Sequence, residues 1–414
     1  MTKQNNSIFK LGDAGVSIND VFAAAKKLDY VLKKTELIES PVFSSESGNT
    51  VFIKPENLQV TGAFKIRGAF HKLSRLNDAE KSRGVIASSA GNHAQGIGFA
   101  AQLLGITATV VMPATTPIIK VEATRNYGAN VVLFGDSYDE AYKKARELEA
   151  VHNYVFVHPF DDLDVIIGQG TIALEILQQL EDVDEILVPI GGGGLASGIA
   201  FAAKTLKPSI KVIGVEPEGA CCMKASLALN QVTELAAVDT IADGAAVKRP
   251  GSLTFELIRA FVDEIISVSD FDIAEAILLL IEKHKLIVEG AGALSLAGLK
   301  KISSKNKKVV CLVSGGNIDI LTISAIINKA LVFRGRLFCF TINLPDKPGE
   351  LLHVAKIISA LNANVIKLDH NQSKVMDSFK QVQLEVTVET NGHSHVAEIE
   401  DAFQRNGIEI QKIY

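Results

Sequence analysis

Cysteine is scarce in this sequence, four in 414 residues, with Cys221 and Cys222 adjacent and Cys311 and Cys339 isolated. That count and spacing exclude a disulfide framework or a thiolate zinc site and lead us to expect reduced, packed thiols. Long apolar runs are also missing, and stretches such as residues 276–281 fall far short of the roughly 20 residues a bilayer crossing needs. The mean hydropathy of +0.23 then reflects Ala, Ile, Leu and Val in buried elements, so no membrane is expected. Residues 1–15 mix Lys, Gln, Asn and Asp without an apolar core, which does not fit a secretory signal, and a cytoplasmic location is expected. Cationic excess is absent too. Lys plus Arg total 42 against 47 Asp plus Glu, a net charge of -5, so the chain has no field to collect the phosphates of nucleic acid.

What is present is an ordinary globular composition, 47% hydrophobic and 21% charged, in a chain long enough for two or three domains. From Val51 onward, short β-branched runs alternate with Ala-rich helical segments: residues 84–88, then 94–104, then 108–112. Further apolar runs follow at 130–134, 185–190, 211–216 and 308–314, each nearly continuous, as strands covered on both faces should be. The expected fold is therefore α/β, a mostly parallel sheet flanked by helices over residues 1–330, with its site at the carboxyl ends of the strands. After Arg334 the pattern changes. Residues 336–343, 349–361, 365–369, 381–389, 395–405 and 408–413 read as β-α-β-β-α-β, a ferredoxin-like α+β domain over residues 336–414. The segment Asn391-Gly392-His393-Ser394-His395 reads as an exposed turn.

The polar and glycine-rich segments lie at the strand ends. Gly191-Gly192-Gly193-Gly194-Leu195 follows one strand and opens a helix, where converging backbone N–H groups and the helix dipole suit a phosphate. A tight left-handed turn is the plainer alternative, although four glycines exceed what one turn needs. No Lys-Ser/Thr pair follows, which argues against a P-loop, and Ser197 stands where a dinucleotide fingerprint needs its last glycine. A phosphate monoester fits better. Lys65, in Thr61-Gly62-Ala63-Phe64-Lys65-Ile66-Arg67-Gly68, sits between small and apolar residues that can desolvate its amine and make it nucleophilic. A lone lysine is usually a solvated surface group, but paired with a phosphate cradle it suggests a Schiff base to pyridoxal phosphate. Ser88 to Gly96 and Ser314-Gly315-Gly316-Asn317 each end a strand in clustered donors, and each taken alone could be only a cap or a turn.

These four segments together resemble the fold-type II pyridoxal-phosphate enzymes, and within them the biosynthetic threonine dehydratases. Residues 64–68 and 89–93 are worded like threonine and serine dehydratases. Pro345-Asp346-Lys347-Pro348-Gly349-Glu350 with Asn362-Ala363-Asn364-Val365 resembles a single ACT-like regulatory domain. The resemblance implies a threonine ammonia-lyase that forms 2-oxobutanoate and ammonia at the head of isoleucine synthesis. It makes Lys65 the catalytic, cofactor-bearing residue with Phe64 beside it, and Gly191, Gly192, Gly193, Gly194 and Leu195 the phosphate loop. Asn92 would meet the ring hydroxyl and Ser314 the pyridine nitrogen, while Ser89, Ala90, Gly91, Asn92 and His93 would hold the substrate carboxylate. A hydroxyl at the pyridine nitrogen is a weaker proton source than a carboxylate, which favours rapid loss of a β-leaving group over transamination. It further implies a homotetramer and allosteric isoleucine or valine near Pro348, Gly349, Glu350 and Asn364.

Two departures from the relatives narrow this expectation. Racemases of the same fold resemble the chain but carry a serine where Ala90 stands, so racemisation is disfavoured. Their divalent-cation site is matched by Glu216, but Cys222 replaces the second carboxylate, so no divalent metal is expected; a strand-end surface acid is the equal alternative for Glu216, and a monovalent ion is the remaining one. Thr35-Glu36 stands where the family usually has Thr-Pro, a change expected to be structurally harmless. Glu289-Gly290-Ala291-Gly292-Ala293 could line the pocket or serve only as a helix cap. The alternatives are a serine dehydratase or other hydroxy-amino-acid ammonia-lyase using the same site and, from another class, a non-catalytic amino acid sensor.

Overall fold

In a computed structural model, which describes residues 8–11, 14–372 and 380–414, the chain divides into two compact units, 1–318 and 319–414. Much of the N-terminal segment 1–15 read above lies outside the described residues. Within the first unit, the apolar runs pair into two sheets. The larger has the order Glu264–Val268, Lys211–Pro217, Glu185–Pro189, Lys308–Val313, Thr50–Pro55 and Ile38–Glu39, parallel except for the last, short edge strand. The smaller is wholly parallel, in the order Asn130–Leu133, Ala108–Met112, Val85–Ser88 and Val155–Phe156. Central strands such as Glu185–Pro189 and Ala108–Met112 are buried along their whole length, which is why their sequences show no alternation. Each sheet carries its own apolar core. The polar loops after Ser88, Ile190 and Val313 leave carboxyl ends of these strands, and the Lys65 segment follows Thr50–Pro55 through a short helical turn.

Between the two sheets' helices lies a buried ionic cluster. Arg67, fully buried in helix Lys65–Ser74, donates Nε and Nη2 to the Glu56 carboxylate at 2.7 Å each and Nη1 to Glu175 at 2.5 Å. Lys54 reaches Glu175 at 2.5 Å, and the Thr35 hydroxyl donates to Glu56 at 2.7 Å. Burial opposes charge on Glu56, yet the adjacent guanidinium holds its carboxyl below the ordinary value.

Glu216 is not the strand-end surface acid that one reading of the sequence allows. It is fully buried, and its carboxylate accepts the Met223 and Lys224 N–H groups at 2.9 Å each, capping helix Cys222–Leu229. Burial pushes its pKa up to about 7. All four cysteines are free thiols, and three of them are buried. Among the described residues no helix is long and apolar enough to cross a membrane.

The second unit contains strand Leu337–Pro345, helix Glu350–Ala360, strands Asn364–Asn371 and Gln381–Glu389, helix His393–Arg405 and strand Ile410–Lys412. Its antiparallel sheet has Asn364–Asn371 at one edge and Ile410–Lys412 at the other, the ferredoxin-like order. The unit begins earlier than residue 336 because helix Ile320–Phe333 belongs to it: Arg336 N–H returns to the Leu331 carbonyl, and His393 Nε2 lies 3.0 Å from the Phe333 carbonyl. The expected exposed turn at 391–395 holds only over Asn391 and Gly392, which form a bend ahead of the last helix. His393 to His395 open the last helix, and His395 is buried, its Nδ1 accepting Asn391 N–H at 3.1 Å and its Nε2 facing the Leu361 carbonyl at 2.9 Å.

Candidate active site

Lys65 is the first residue of helix Lys65–Ser74, and its chain turns back over the Phe64 ring, with Nζ 5.3 Å from the centroid. Nζ donates to the Pro159 carbonyl at 2.7 Å. Burial of the amine lowers its pKa to about 8, against a smaller opposite pull from Glu289. Near neutral pH a usable fraction of this amine is therefore unprotonated and nucleophilic.

Asn92 opens helix Asn92–Leu104 directly after the smaller sheet's strand Val85–Ser88. Its Nδ2 donates to Glu289 Oε1 at 2.6 Å and its Oδ1 accepts from Asn317 Nδ2 at 2.7 Å. Ser89 Oγ accepts the Gly91 N–H at 3.3 Å, which shapes the turn before that helix. The His93 imidazole turns into the core instead, Nε2 lying 3.0 Å from the Val157 carbonyl, and burial lowers its pKa to about 3. What His93 offers the loop is its backbone.

From the larger sheet, strand Glu185–Pro189 runs into Gly191 to Gly194 and helix Gly194–Leu206. These glycines are required by space. A Cβ on Gly191 would lie 2.9 Å from Ala245 Cα, on Gly192 2.3 Å from the Phe160 ring, and on Gly194 2.8 Å from the Phe160 carbonyl. Gly193 adds a φ of +100° and a Thr254 contact. The result is a backbone-lined cradle ending in a helix start, whose first N–H groups have no intrahelical partner. Leu195 lies in the first turn of that helix and is buried. Ser314, at the end of strand Lys308–Val313, is buried and donates Oγ to the Ala291 carbonyl at 3.3 Å. Its carbonyl accepts the Phe64 N–H at 3.0 Å, and a lone β-bridge joins Ala63 to Gly315, so the lysine segment and the Ser314 loop are stitched together.

The segment His158-Pro159-Phe160-Asp161 was not singled out from sequence, yet it ties the site together. His158 Nδ1 accepts the Phe160 and Asp161 N–H groups at 3.3 and 2.8 Å. The Pro159 carbonyl takes Lys65, Phe160 backs the glycine cradle, and Asp161 caps helix Ser252–Phe261. That helix supplies Thr254, whose Oγ1 donates to the Gly192 carbonyl at 2.7 Å. The one available signal was its position just after strand Val155–Phe156, another carboxyl end.

An amine softened by burial, a side-chain-free anion cradle, an oriented amide and a buried hydroxyl form a donor set that fits a phosphorylated aldehyde. The family model for pyridoxal-phosphate dependent enzymes matches residues 28–315. The chain belongs to that family. This pyridoxal-phosphate dependent enzyme is 46% identical over 399 residues to an L-threonine ammonia-lyase from Thermotoga maritima, spanning 96% of this chain and 99% of that one. It is 47% identical over 320 residues to a catabolic L-threonine dehydratase from Escherichia coli, spanning 76% of this chain and 97% of the relative. The structure of a processed threonine deaminase isoform 2 from Solanum lycopersicum superposes with a TM-score of 0.73 at 36% identity, covering 79% of this chain and 93% of that one. Its fold is the fold-type II α/β architecture of that family.

Proposed function

We propose that this enzyme is a threonine ammonia-lyase, converting L-threonine to 2-oxobutanoate and ammonia. The observation that carries the reading is the meeting of the Lys65 amine, its pKa near 8, with the glycine cradle and the Asn92 and Ser314 loops. The names of the Thermotoga and Escherichia relatives support it.

In this reading Lys65 would hold the cofactor, with Phe64 against it, Gly191 to Leu195 would receive its phosphate, Asn92 would donate to its ring oxygen and Ser314 would face its ring nitrogen. When bound, the cofactor withdraws electrons from the substrate's Cα and so makes that C–H acidic. The loop of Ser89, Ala90, Gly91, Asn92 and His93 would receive the substrate carboxylate, with Ala90, Asn92 and His93 supplying N–H groups at the helix start while the Ser89 N–H goes to the Val111 carbonyl and the Gly91 N–H to Ser89 Oγ. The Lys65 amine would take the Cα proton. The Cα–H and Cβ–O bonds break as a Cα–Cβ double bond forms, water leaves, and the released enamine adds one water to give the oxoacid and ammonia. Ala90 puts no hydroxyl on the opposite face to return the proton, which disfavours racemisation.

In the same reading the enzyme is a cytoplasmic homotetramer that opens isoleucine synthesis. The unit 319–414 acts as an ACT-like sensor of isoleucine or valine near Pro348, Gly349, Glu350 and Asn364. Gly349, at φ +101°, precedes helix Glu350–Ala360 and opens its N-terminus to a carboxylate. The edge strand Asn364–Asn371 exposes Val365, Ile366 and Leu368, which suits pairing with another subunit. To test the reading, purified protein is given threonine or serine and oxoacid release is followed, with and without isoleucine and valine. Threonine turnover, lost together with the lysine-bound cofactor's absorption in Lys65→Ala, is expected. A higher kcat/KM on serine would make it a serine dehydratase, and absence of oxoacid would leave an amino acid sensor.

A further inference from the structure

The surroundings of the half-buried Asn92 and Asn317 carboxamides decide which way each one points. The Thr61 carbonyl is a backbone acceptor, so the group facing it at 2.8 Å must be the Asn317 Nδ2. The same Nδ2 gives its other hydrogen to Asn92 at 2.7 Å, which must therefore present Oδ1. Asn92 Nδ2 is then turned toward Glu289 Oε1, 2.6 Å away. Each group in this chain of four fixes the next.

Glu289 is itself held. It is the residue before helix Gly290–Gly298, its N–H donates to the Gly315 carbonyl at 3.2 Å, and a Cβ on Gly315 would stand 2.4 Å from its Oε1. Burial pushes its pKa up to about 7, with Asn92, Lys120, Asp243 and Lys65 as the groups that face it. In either protonation state a carboxyl oxygen remains to accept from Asn92.

We propose that Glu289 is a positioning residue: with Asn317 it locks the Asn92 carboxamide so that an N–H, and never the carbonyl, faces the cofactor's ring oxygen. One hydrogen of Asn92 Nδ2 is committed to Glu289, and the second points the same end of the amide at the ring. Without the lock the amide can flip, placing a carbonyl oxygen against an oxygen of like polarity. This rests on the placement of Asn92 beside the ring proposed above.

The test uses the full chain, stripped of cofactor and titrated with pyridoxal phosphate, comparing wild type with Glu289→Ala, Glu289→Gln, Asn317→Ala and Asn92→Ala. Affinity is read by absorption, together with the ratio of the bound cofactor's long- to short-wavelength bands. A donor to the ring oxygen favours the tautomer with the proton off that oxygen, so losing it shifts weight to the short-wavelength band. Glu289→Ala and Asn317→Ala should each weaken binding by about tenfold and lower that ratio. Glu289→Gln, which keeps an acceptor, should restore both to within about twofold of wild type. Wild-type affinity and band ratio in Glu289→Ala would overturn the proposal, as would Glu289→Gln behaving like Ala, since charge rather than orientation would then matter. If Glu289→Ala does not fold, Asn317→Ala breaks the lock from the other side, and wild-type behaviour there is equally fatal. If Asn92→Ala is silent, the placement of Asn92 falls and this inference with it; a strong Asn92→Ala effect beside a silent Glu289→Ala removes only the inference.

Discussion

Arg67 stands two residues after Lys65, yet the two are handled oppositely by their surroundings. Desolvation dominates at Lys65 and softens it into a nucleophile. At Arg67 the same burial is outweighed by Glu56 and Glu175, and the guanidinium stays charged as the hub of an internal network. Replacing Arg67 leaves the buried Glu56 carboxylate without its ion-pair partner, while Glu175 keeps Lys54, so Arg67→Met is expected to destabilise the fold by about 3–5 kcal/mol at neutral pH. Urea unfolding measures it. Because Glu56 is held below its ordinary pKa, its pairing stabilises wild type above the carboxylate range and is lost as pH falls through the folded value. The gap between variant and wild type should accordingly shrink in acid; a gap independent of pH would show that packing, not charge, sets the penalty.

At the scale of elements, the cradle is made by what surrounds Gly191 to Gly194 as much as by the glycines. Phe160 and Thr254 come from two other segments, and Asp161 joins them by capping helix Ser252–Phe261. In Gly192→Ala the new methyl would sit 2.3 Å from a ring carbon of Phe160, so either the loop or the ring must move. Overpacking of this kind costs about 1–3 kcal/mol, which predicts cofactor affinity lowered by about tenfold or more, read by equilibrium titration. Combining it with Phe160→Leu should recover part of the loss. Unchanged affinity in the single variant would place the phosphate elsewhere.

On the scale of the whole molecule, the units 1–318 and 319–414 each have a core of their own. The Escherichia relative is matched over 97% of its length by 320 residues of this chain, whereas the Thermotoga relative is matched over 399. A chain ended after Ile318 is therefore expected to keep threonine turnover and lose any response to isoleucine, checked by oxoacid assay of both forms. An isoleucine response surviving in the short form would move the effector site into the first unit.

Local chemistry made much of this legible. Most continuous apolar runs announced strands covered on both faces, although Asn130–Leu133 is a partly exposed edge. The glycine run and Lys65 together suggested a cofactor site, whereas Asn92 and Ser314 had ordinary turn residue types and took their expected roles from the family resemblance. The order of elements after Arg334 was equally plain, since period-2 and period-3.6 patterns are properties of the chain itself. Tertiary structure alone decided what depends on neighbours distant in sequence. It turned Glu216 and His395 inward, carried the Pro159 carbonyl to Lys65, and joined Thr61, Asn317, Asn92 and Glu289 into one hydrogen-bonded line. A carboxylate or an amide has the same letter whether it caps a helix, meets water or aims another side chain. Only the partners brought to it by folding tell these uses apart.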